Sequence, residues 1–377
     1  MNDVFTELRR NIHRHPERSG EETGTARIIT DYLSKCPGWE VQTGIGGHGV
    51  LATWRSGKPG DHTVFRAELD ALPIQETTGL EYASVNPGVG HHCGHDGHMA
   101  MLCGLAARTP AIGGLHGCIS LLFQPAEETG QGAAAMLRDE AMKDWHPSRI
   151  IALHNTPGHP LGQLICREGV MLVASTGVSV SFQGTSAHAA HPELGKSPWR
   201  ALQTLADQAL QWPSTLVPLG NSAKVTLAGI NMGGPHYGTS PAAGTVWLTL
   251  RAYQTETLNM LKNQVAMLAG QLAAGQELRY EVNFTEEFEA TVNQGSLFRE
   301  IRDLAKAAGF SWVEPDRPWS YSEDFGRFGR IAPTLFMGIG SGEQQPVLHA
   351  SDFDFPDELL AMGIDVLETI VQNYHTG

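Results

Sequence analysis

Apolar and polar positions change period several times along the chain, and each change marks an element. The stretch "TGTARIITDYLSKC", residues 23 to 36, carries apolar side chains at helical spacing. "GVLATWRS" and "HTVFRAEL" read as strands, and "GHMAMLCGLAAR" as a helix beginning near His98. "GCISLLFQ", which stops at Pro125, and "RIIALHN", which reaches His154, are continuous apolar runs. Such runs are expected of strands buried on both faces of a sheet covered by helices. The first part of the chain therefore predicts an α/β domain.

Near residue 174 the period shifts. "STGVSVSFQG" alternates as a half-buried strand does, and a helix follows in "SPWRALQTLADQALQW". Strands in "AKVTLAGI" and "GTVWLTLRAY", a helix in "TLNMLKNQVAMLAGQLAA" and a strand in "LRYEVNF" complete a β-α-β-β-α-β order. That order is expected of a split-βαβ sandwich, with antiparallel strands and helices on one face. "GSLFREIRDLAKAAG" then returns to a helix and "TLFMGIGSG" to a buried strand. The prediction is an α/β domain in two parts, 1–173 and 287–377, interrupted by an inserted α+β domain over 174–286.

Composition narrows the classes. At 377 residues the chain exceeds one compact core. Hydrophobic residues make up 41%, and no apolar run is long enough to span a bilayer, so no membrane partner is expected. "MNDVFTELRRNIHRHPERSGEE" has charges where a signal peptide needs an apolar core. Five cysteines at irregular spacing fit a reducing compartment, and the expected location is cytoplasmic. A net charge of -14 without any Lys/Arg cluster argues against a nucleic-acid partner.

The densest chemistry lies in "GHHCGHDGH", residues 90 to 98, with four histidines and one cysteine separated mostly by glycine. No cysteine stands at CxxC spacing from Cys93, which disfavours a redox pair or a ribbon-type zinc site. Glycines suit a loop that aims Cys93 and His95 at one point. Further candidates follow predicted strands, where ligands gather in open α/β sheets. Glu68 and Asp70 follow "HTVFRA", Glu127 and Glu128 follow "LLFQPA", His154 follows "IIAL", and His349 follows "TLFMGIGSG". Alone, His154 reads as a hydrogen-bonded histidine and the paired glutamates as a solvated surface. Together, Cys93, His95, Glu128, His154 and His349 suffice for two metals sharing one ligand.

The adjacent glutamates imply divided labour. In an extended segment their side chains point to opposite faces unless the chain turns between them. One can ligate a metal while the other takes a proton from water and delivers it to a leaving nitrogen. Spacing does not say which. Asp96 has two readings, capping the helix that follows or orienting a ligating histidine. His98 is expected on the first helical turn, His92 in shaping the loop, and Cys103 in the core. "HRHPE" is expected to end the first helix at Pro16, and "SEDF", residues 322 to 325, to support the metal-bearing loop or line the pocket.

"HRHPERSGEE", "FRAELDALP", "HHCGHDGH", "FQPAEETGQGA", "LHN", "SAHAAHPE", "SEDF" and "LHASDFDF" occur in the order of similar motifs in the di-metal aminoacylase/carboxypeptidase family. Nearly the whole chain resembles its amidohydrolase branch, which includes hippurate hydrolases, N-acyl-amino-acid amidohydrolases and auxin-conjugate hydrolases. The resemblance implies that Cys93 bridges two metals, that His95, Glu128, His154 and His349 are the other ligands, and that Glu127 is the base. It implies an insert serving as lid and dimerisation domain. It also implies that His188 crosses from a partner subunit to hold the scissile carbonyl oxygen, against the plainer reading of a surface histidine. Glu127, Asp70 and His188 are the catalytic candidates. His188 and Arg251, at the end of "TVWLTLR", are the substrate-binding candidates, Arg251 through a bidentate carboxylate pair.

The chain departs from the branch at Glu68, where an aspartate is usual, and at Ser186 and Ala187, where two glycines are usual. Glu193 replaces an expected histidine, and Gly238 an asparagine that helps bind substrate. The expected activity is di-metal hydrolysis of an amide bond in an N-acyl amino acid or related small conjugate. A thiolate ligand favours zinc; manganese, cobalt and nickel stay open. The alternatives are a dipeptidase or carboxypeptidase on the same scaffold, or a non-catalytic metal- or small-molecule-binding protein. Retention of both glutamates argues against the last, since a storage site needs no base.

Overall fold

The computed structural model describes residues 2–376. Its contacts divide the chain into two compact units. One comprises the residues up to Met171, Thr291–Pro318 and those from Glu323 onward; the other comprises Leu172–Ala290 with Trp319–Ser322.

The first unit is built on an eight-stranded mixed sheet. From one edge its order is Trp39–Ile45, Gly49–Arg55, Cys118–Gln124, His62–Glu68, Arg149–Thr156, Thr334–Gly340, Leu164–Ile165 and Trp312–Val313. The four central strands run parallel, so their carboxyl ends share one edge of the sheet. All four are expected from the sequence, Cys118–Gln124 and Arg149–Thr156 from continuous apolar runs, and their interiors are buried throughout. The helix His95–Arg108 packs on the strand His62–Glu68 and against the helices Asn2–Arg14 and Glu358–His375. Residues His95 to Ala106 of this helix are all buried, which explains an apolar composition without a polar face.

The second unit carries a four-stranded antiparallel sheet, ordered Ala223–Met232, Ala243–Ala252, Ala174–Gln183 and Arg279–Phe288. The helices Trp199–Thr215 and Thr255–Gln276 pack on this sheet and on each other, which places them on one face. The strand Ala174–Gln183 alternates buried and half-buried positions as its sequence predicts.

Some elements differ from expectation. The helix expected near His98 begins at His95, because Gly94 takes a left-handed conformation (φ 88°) immediately before it. The helix Trp199–Thr215 runs past its expected end with Pro213 inside its last turn. Trp39–Ile45 and Glu358–His375, a strand and a helix, are not among the expected elements. Among the described residues, no helix is long and apolar enough to cross a membrane.

Candidate metal and catalytic site

The parallel strands deliver the candidate residues to one edge. In register, Glu68 lies beside Gln124 and His154 beside Gly338. Gly94 then lets the next segment approach: a Cβ there would stand 2.2 Å from Asn155 Oδ1. This close passage sets Cys93 and His95 over the end of the strand Arg149–Thr156, with Cys93 Sγ 3.6 Å from His154 Nε2. His349 arrives in a left-handed conformation (φ 67°), and its amide donates to the His92 carbonyl at 2.8 Å.

The two glutamates face the same way because the chain does turn between strand and helix. Ala126 has φ 50°, a left-handed conformation that costs a non-glycine residue about 1–2 kcal/mol. Its carbonyl accepts the amides of Gln131 and Gly132 at 3.2 and 3.0 Å, closing the turn. As a result Glu127 Oε2 and Glu128 Oε1 lie 3.9 and 4.0 Å from His95 Nε2. Glu128 Oε1 is also 3.5 Å from His349 Nε2.

Ligand atoms of Cys93, Glu128 and His349 lie within 4.8 Å of one another, as do those of His95, Glu127 and Glu128. His154 joins through Cys93, so all five expected ligands converge. The donor set fits divalent cations. His95 Nδ1 is 2.8 Å from the Asp70 carbonyl and His154 Nδ1 2.8 Å from the Asn155 carbonyl. Donation there leaves each Nε2 free as an acceptor, the usual arrangement of metal-binding histidines. His95 Nε2 and Glu128 Oε1 are buried with no hydrogen-bond partner among the described residues.

Electrostatics point the same way. Burial, reinforced by Glu128 and Glu127, holds the Cys93 thiol well above its ordinary pKa. Burial also lifts Glu127, with the neighbouring carboxylates of Glu323 and Glu128 adding to it. Glu128 is pushed up to about 7 by burial against the pull of His95. Burial lowers His349 to about 4. Burial likewise lowers His154, whereas at His95 burial opposes the charge but Glu68 and Glu128 outweigh it and raise the pKa. A cation relieves such a pocket of buried acids by favouring thiolate and carboxylate.

Asp70, expected among the catalytic residues, enters as a support. It is fully buried, and its Oδ2 accepts from Ser19 Oγ at 2.6 Å and the Glu128 amide at 3.0 Å. Asp96 takes neither of its expected roles. It lies inside the first helical turn, where it caps nothing, and its Oδ2 meets His13 Nδ1 at 2.9 Å and Arg9 Nη1 at 3.0 Å. "HRHPE" thus reaches the helix His95–Arg108 through His13, whose Nε2 is 3.3 Å from Glu76. His98, on the first helical turn, pairs with Glu68 at 2.7 Å. Cys103 is a core residue.

A buried charge network beside the glutamates is absent from the sequence reading. Arg66 is fully enclosed and bonds Glu323, Asp324, Gln124 and Glu68. Its one signal is an arginine inside "HTVFRAEL", a strand whose positions from Thr63 to Glu68 are all buried. "SEDF" accordingly reaches the ends of the glutamate loop through Asp324, which accepts from Gln124 Nε2 and the Ala133 amide, while its Glu323 accepts from Arg66.

His188 and Arg251 belong to the second unit. His188 is exposed in a short strand paired with Thr239–Ser240, and its Nδ1 accepts the Ala190 amide at 3.1 Å. Arg251 Nη1 donates to the Ser320 carbonyl at 2.9 Å and to Ser322 Oγ at 3.2 Å. A Cβ at Gly238 would meet no atom within 4 Å, and Glu193 pairs with His191 on the surface.

A profile of peptidase family M20/M25/M40 matches residues 64–373. The chain is 30% identical over 372 residues to a hippurate hydrolase of Campylobacter jejuni, covering 98% of this chain and 96% of that one. It is 27% identical over 346 residues to an N-acetyldiaminopimelate deacetylase of Bacillus cytotoxicus, covering 92% of each. A dinuclear metal-binding M20 peptidase from Bacillus subtilis superposes with a TM-score of 0.82 at 25% identity, over 98% of this chain and 97% of that one.

Proposed function

The chain belongs to peptidase family M20/M25/M40 and is a metal-dependent amidohydrolase, and from that premise we propose that it cleaves N-acyl amino acids or related small conjugates. In this reading Cys93, His95, Glu128, His154 and His349 would hold two divalent cations, Cys93 being the ligand candidate common to both. Zinc or manganese are the favoured ions, since a thiolate sits among imidazole and carboxylate donors. When bound, the cations supply Lewis acidity to the scissile carbonyl and to water. Glu127 takes the proton of the attacking water on its carboxylate and returns it to the leaving nitrogen. Asp70 holds the Glu128 amide and the His95 ring in place. His188 from a partner subunit donates to the carbonyl oxygen, and Arg251 receives the substrate carboxylate.

The observation that carries this reading is the turn at Ala126, which brings both glutamates to within 4.0 Å of His95 Nε2. A site that only stored metal would gain nothing from a second buried carboxylate with a raised pKa. The similarity to enzymes named for hippurate and for an N-acetylated amino acid supports the acyl-amino-acid class. The test is a hydrolysis panel of N-acyl amino acids against dipeptides, run after chelation and after re-addition of each divalent metal. Metal-restored turnover of acyl amino acids is expected. Preference for dipeptides would move the assignment to a dipeptidase.

A further inference from the structure

One carboxylate grips both ends of the loop that carries the two glutamates. Asp324 Oδ1 accepts from Gln124 Nε2 at 2.6 Å, and its Oδ2 accepts the Ala133 amide at 2.8 Å. Gln124 ends the strand Cys118–Gln124, and Ala133 lies in the first turn of the helix Gly132–Arg138. Glu127 and Glu128 lie between these two points. Arg66 Nη2 holds Asp324 from a third direction at 3.2 Å, and all three partners are buried. Inside the loop, Glu22 Oε1 accepts the Ala126 amide at 2.8 Å and Asp70 Oδ2 the Glu128 amide at 3.0 Å.

This restraint coincides with the one strained residue of the loop. Ala126 sits in a left-handed conformation that alanine avoids, and such outliers persist only where the surroundings over-determine them. Glu127 and Glu128 lie together in a turn that the Gly130 amide closes on the Glu127 carbonyl at 2.7 Å, so the conformation of Ala126 sets the direction in which that turn, and both carboxylates with it, leaves the strand. We infer that Asp324 is a positioning residue: by clamping Gln124 and Ala133 it imposes the left-handed turn at Ala126 that aims Glu127 and Glu128 at His95. The inference rests on the proposed reading of Glu128 as a ligand and Glu127 as the base, and it adds how a loop without glycine at its turn is made to present both.

The test compares Asp324→Asn and Glu22→Ala, each with and without Ala126→Gly. Metal affinity is measured by competition with a chromogenic zinc chelator, kcat on an acyl amino acid, and melting of the metal-free chain reports folding. Asp324→Asn should weaken zinc binding about tenfold or more and lower kcat. Glu22→Ala leaves Arg66 and its partners intact, so it serves even where Asp324→Asn does not fold, and it should weaken binding in the same direction. Adding Ala126→Gly should recover about fivefold in affinity in either background, because glycine adopts the turn without the penalty. A role in general stability would give no such recovery. Folded single variants with wild-type affinity and kcat overturn the inference, as does failure of Ala126→Gly to recover binding in Glu22→Ala. Wild-type chain that takes up no zinc, or Glu128→Gln that binds as well as wild type, instead defeats the site reading itself, and the inference with it.

Discussion

Glu127 and Glu128 are chemically identical neighbours separated by what each faces. Glu128 lies with Cys93, His349 and His95, a set of metal donors, while Glu127 has Glu323 and Asp324 beside it. Glu127→Gln should therefore keep metal content near wild type and lower the rate at least about a hundredfold, as loss of a general base does. Glu128→Gln should instead lose metal on gel filtration. Metal analysis alongside turnover separates the two, and unchanged turnover in Glu127→Gln would remove that residue from the mechanism. Cys93 is set apart by its thiol, which burial keeps protonated until a cation displaces the proton. Cys93→Ser should lower occupancy and steepen its pH dependence, because a hydroxyl gives up its proton less readily. Two tightly held metals per chain in that variant would contradict a bridging role.

Elements were legible in the sequence where their burial is uniform. The central strands Cys118–Gln124, Arg149–Thr156 and Thr334–Gly340 are covered on both faces, so the stretches Ile119 to Phe123, Ile150 to Leu153 and Leu335 to Gly340 are apolar or small throughout and the run announces itself. The edge strand Trp39–Ile45 has four of its seven positions exposed, and its "WEVQTGI" carries no such run. The five proposed ligands were legible as a set because donor types recur in one loop and after successive strands. The supports behind them were not, since Arg9 bonds Asp354, His13 bonds Asp96 and Arg66 bonds Gln124 across 345, 83 and 58 residues. Spacing along a chain says nothing of such pairs. One of them makes an element-scale prediction. Burial opposes charge on His13, but hydrogen bonds to Asp96 and Glu76 outweigh it and raise its pKa to about 9. The unfolded value is about 6.5, so this contribution is fully present below pH ~6.5 and is lost as pH rises through about 9. The metal-free chain should melt at progressively lower temperature across that window, and His13→Gln should flatten the trend. Parallel curves for the two proteins would show that the link between the helices Asn2–Arg14 and His95–Arg108 does not depend on charged His13.

At the scale of the whole molecule, the second unit is where the proposed self-association would occur. Its four-stranded sheet ends on Ala223–Met232 and Arg279–Phe288, and Leu227, Ile230, Trp247 and Tyr280 are exposed on its strands. Open sheet edges with apolar side chains are adhesive, and a two-fold contact between such units is the commonest closed solution. The proposed homodimer gives His188 its task, since that side chain is exposed in the same unit. His188→Ala should lower kcat about a hundredfold or more while keeping its metal, as removal of an oxyanion donor does. Mixed with Glu127→Gln chains under conditions of subunit exchange, it should regain activity. Each mixed dimer holds one complete site, formed by Glu127 of the His188→Ala chain and His188 of its partner. With equal amounts, half the dimers are mixed and each has one working site of two, so about a quarter of wild-type turnover is expected. Differently tagged chains, co-purified before assay, establish that exchange has occurred. Mixed dimers that remain inactive would mean that His188 serves no partner's site, and a same-chain arrangement would replace it.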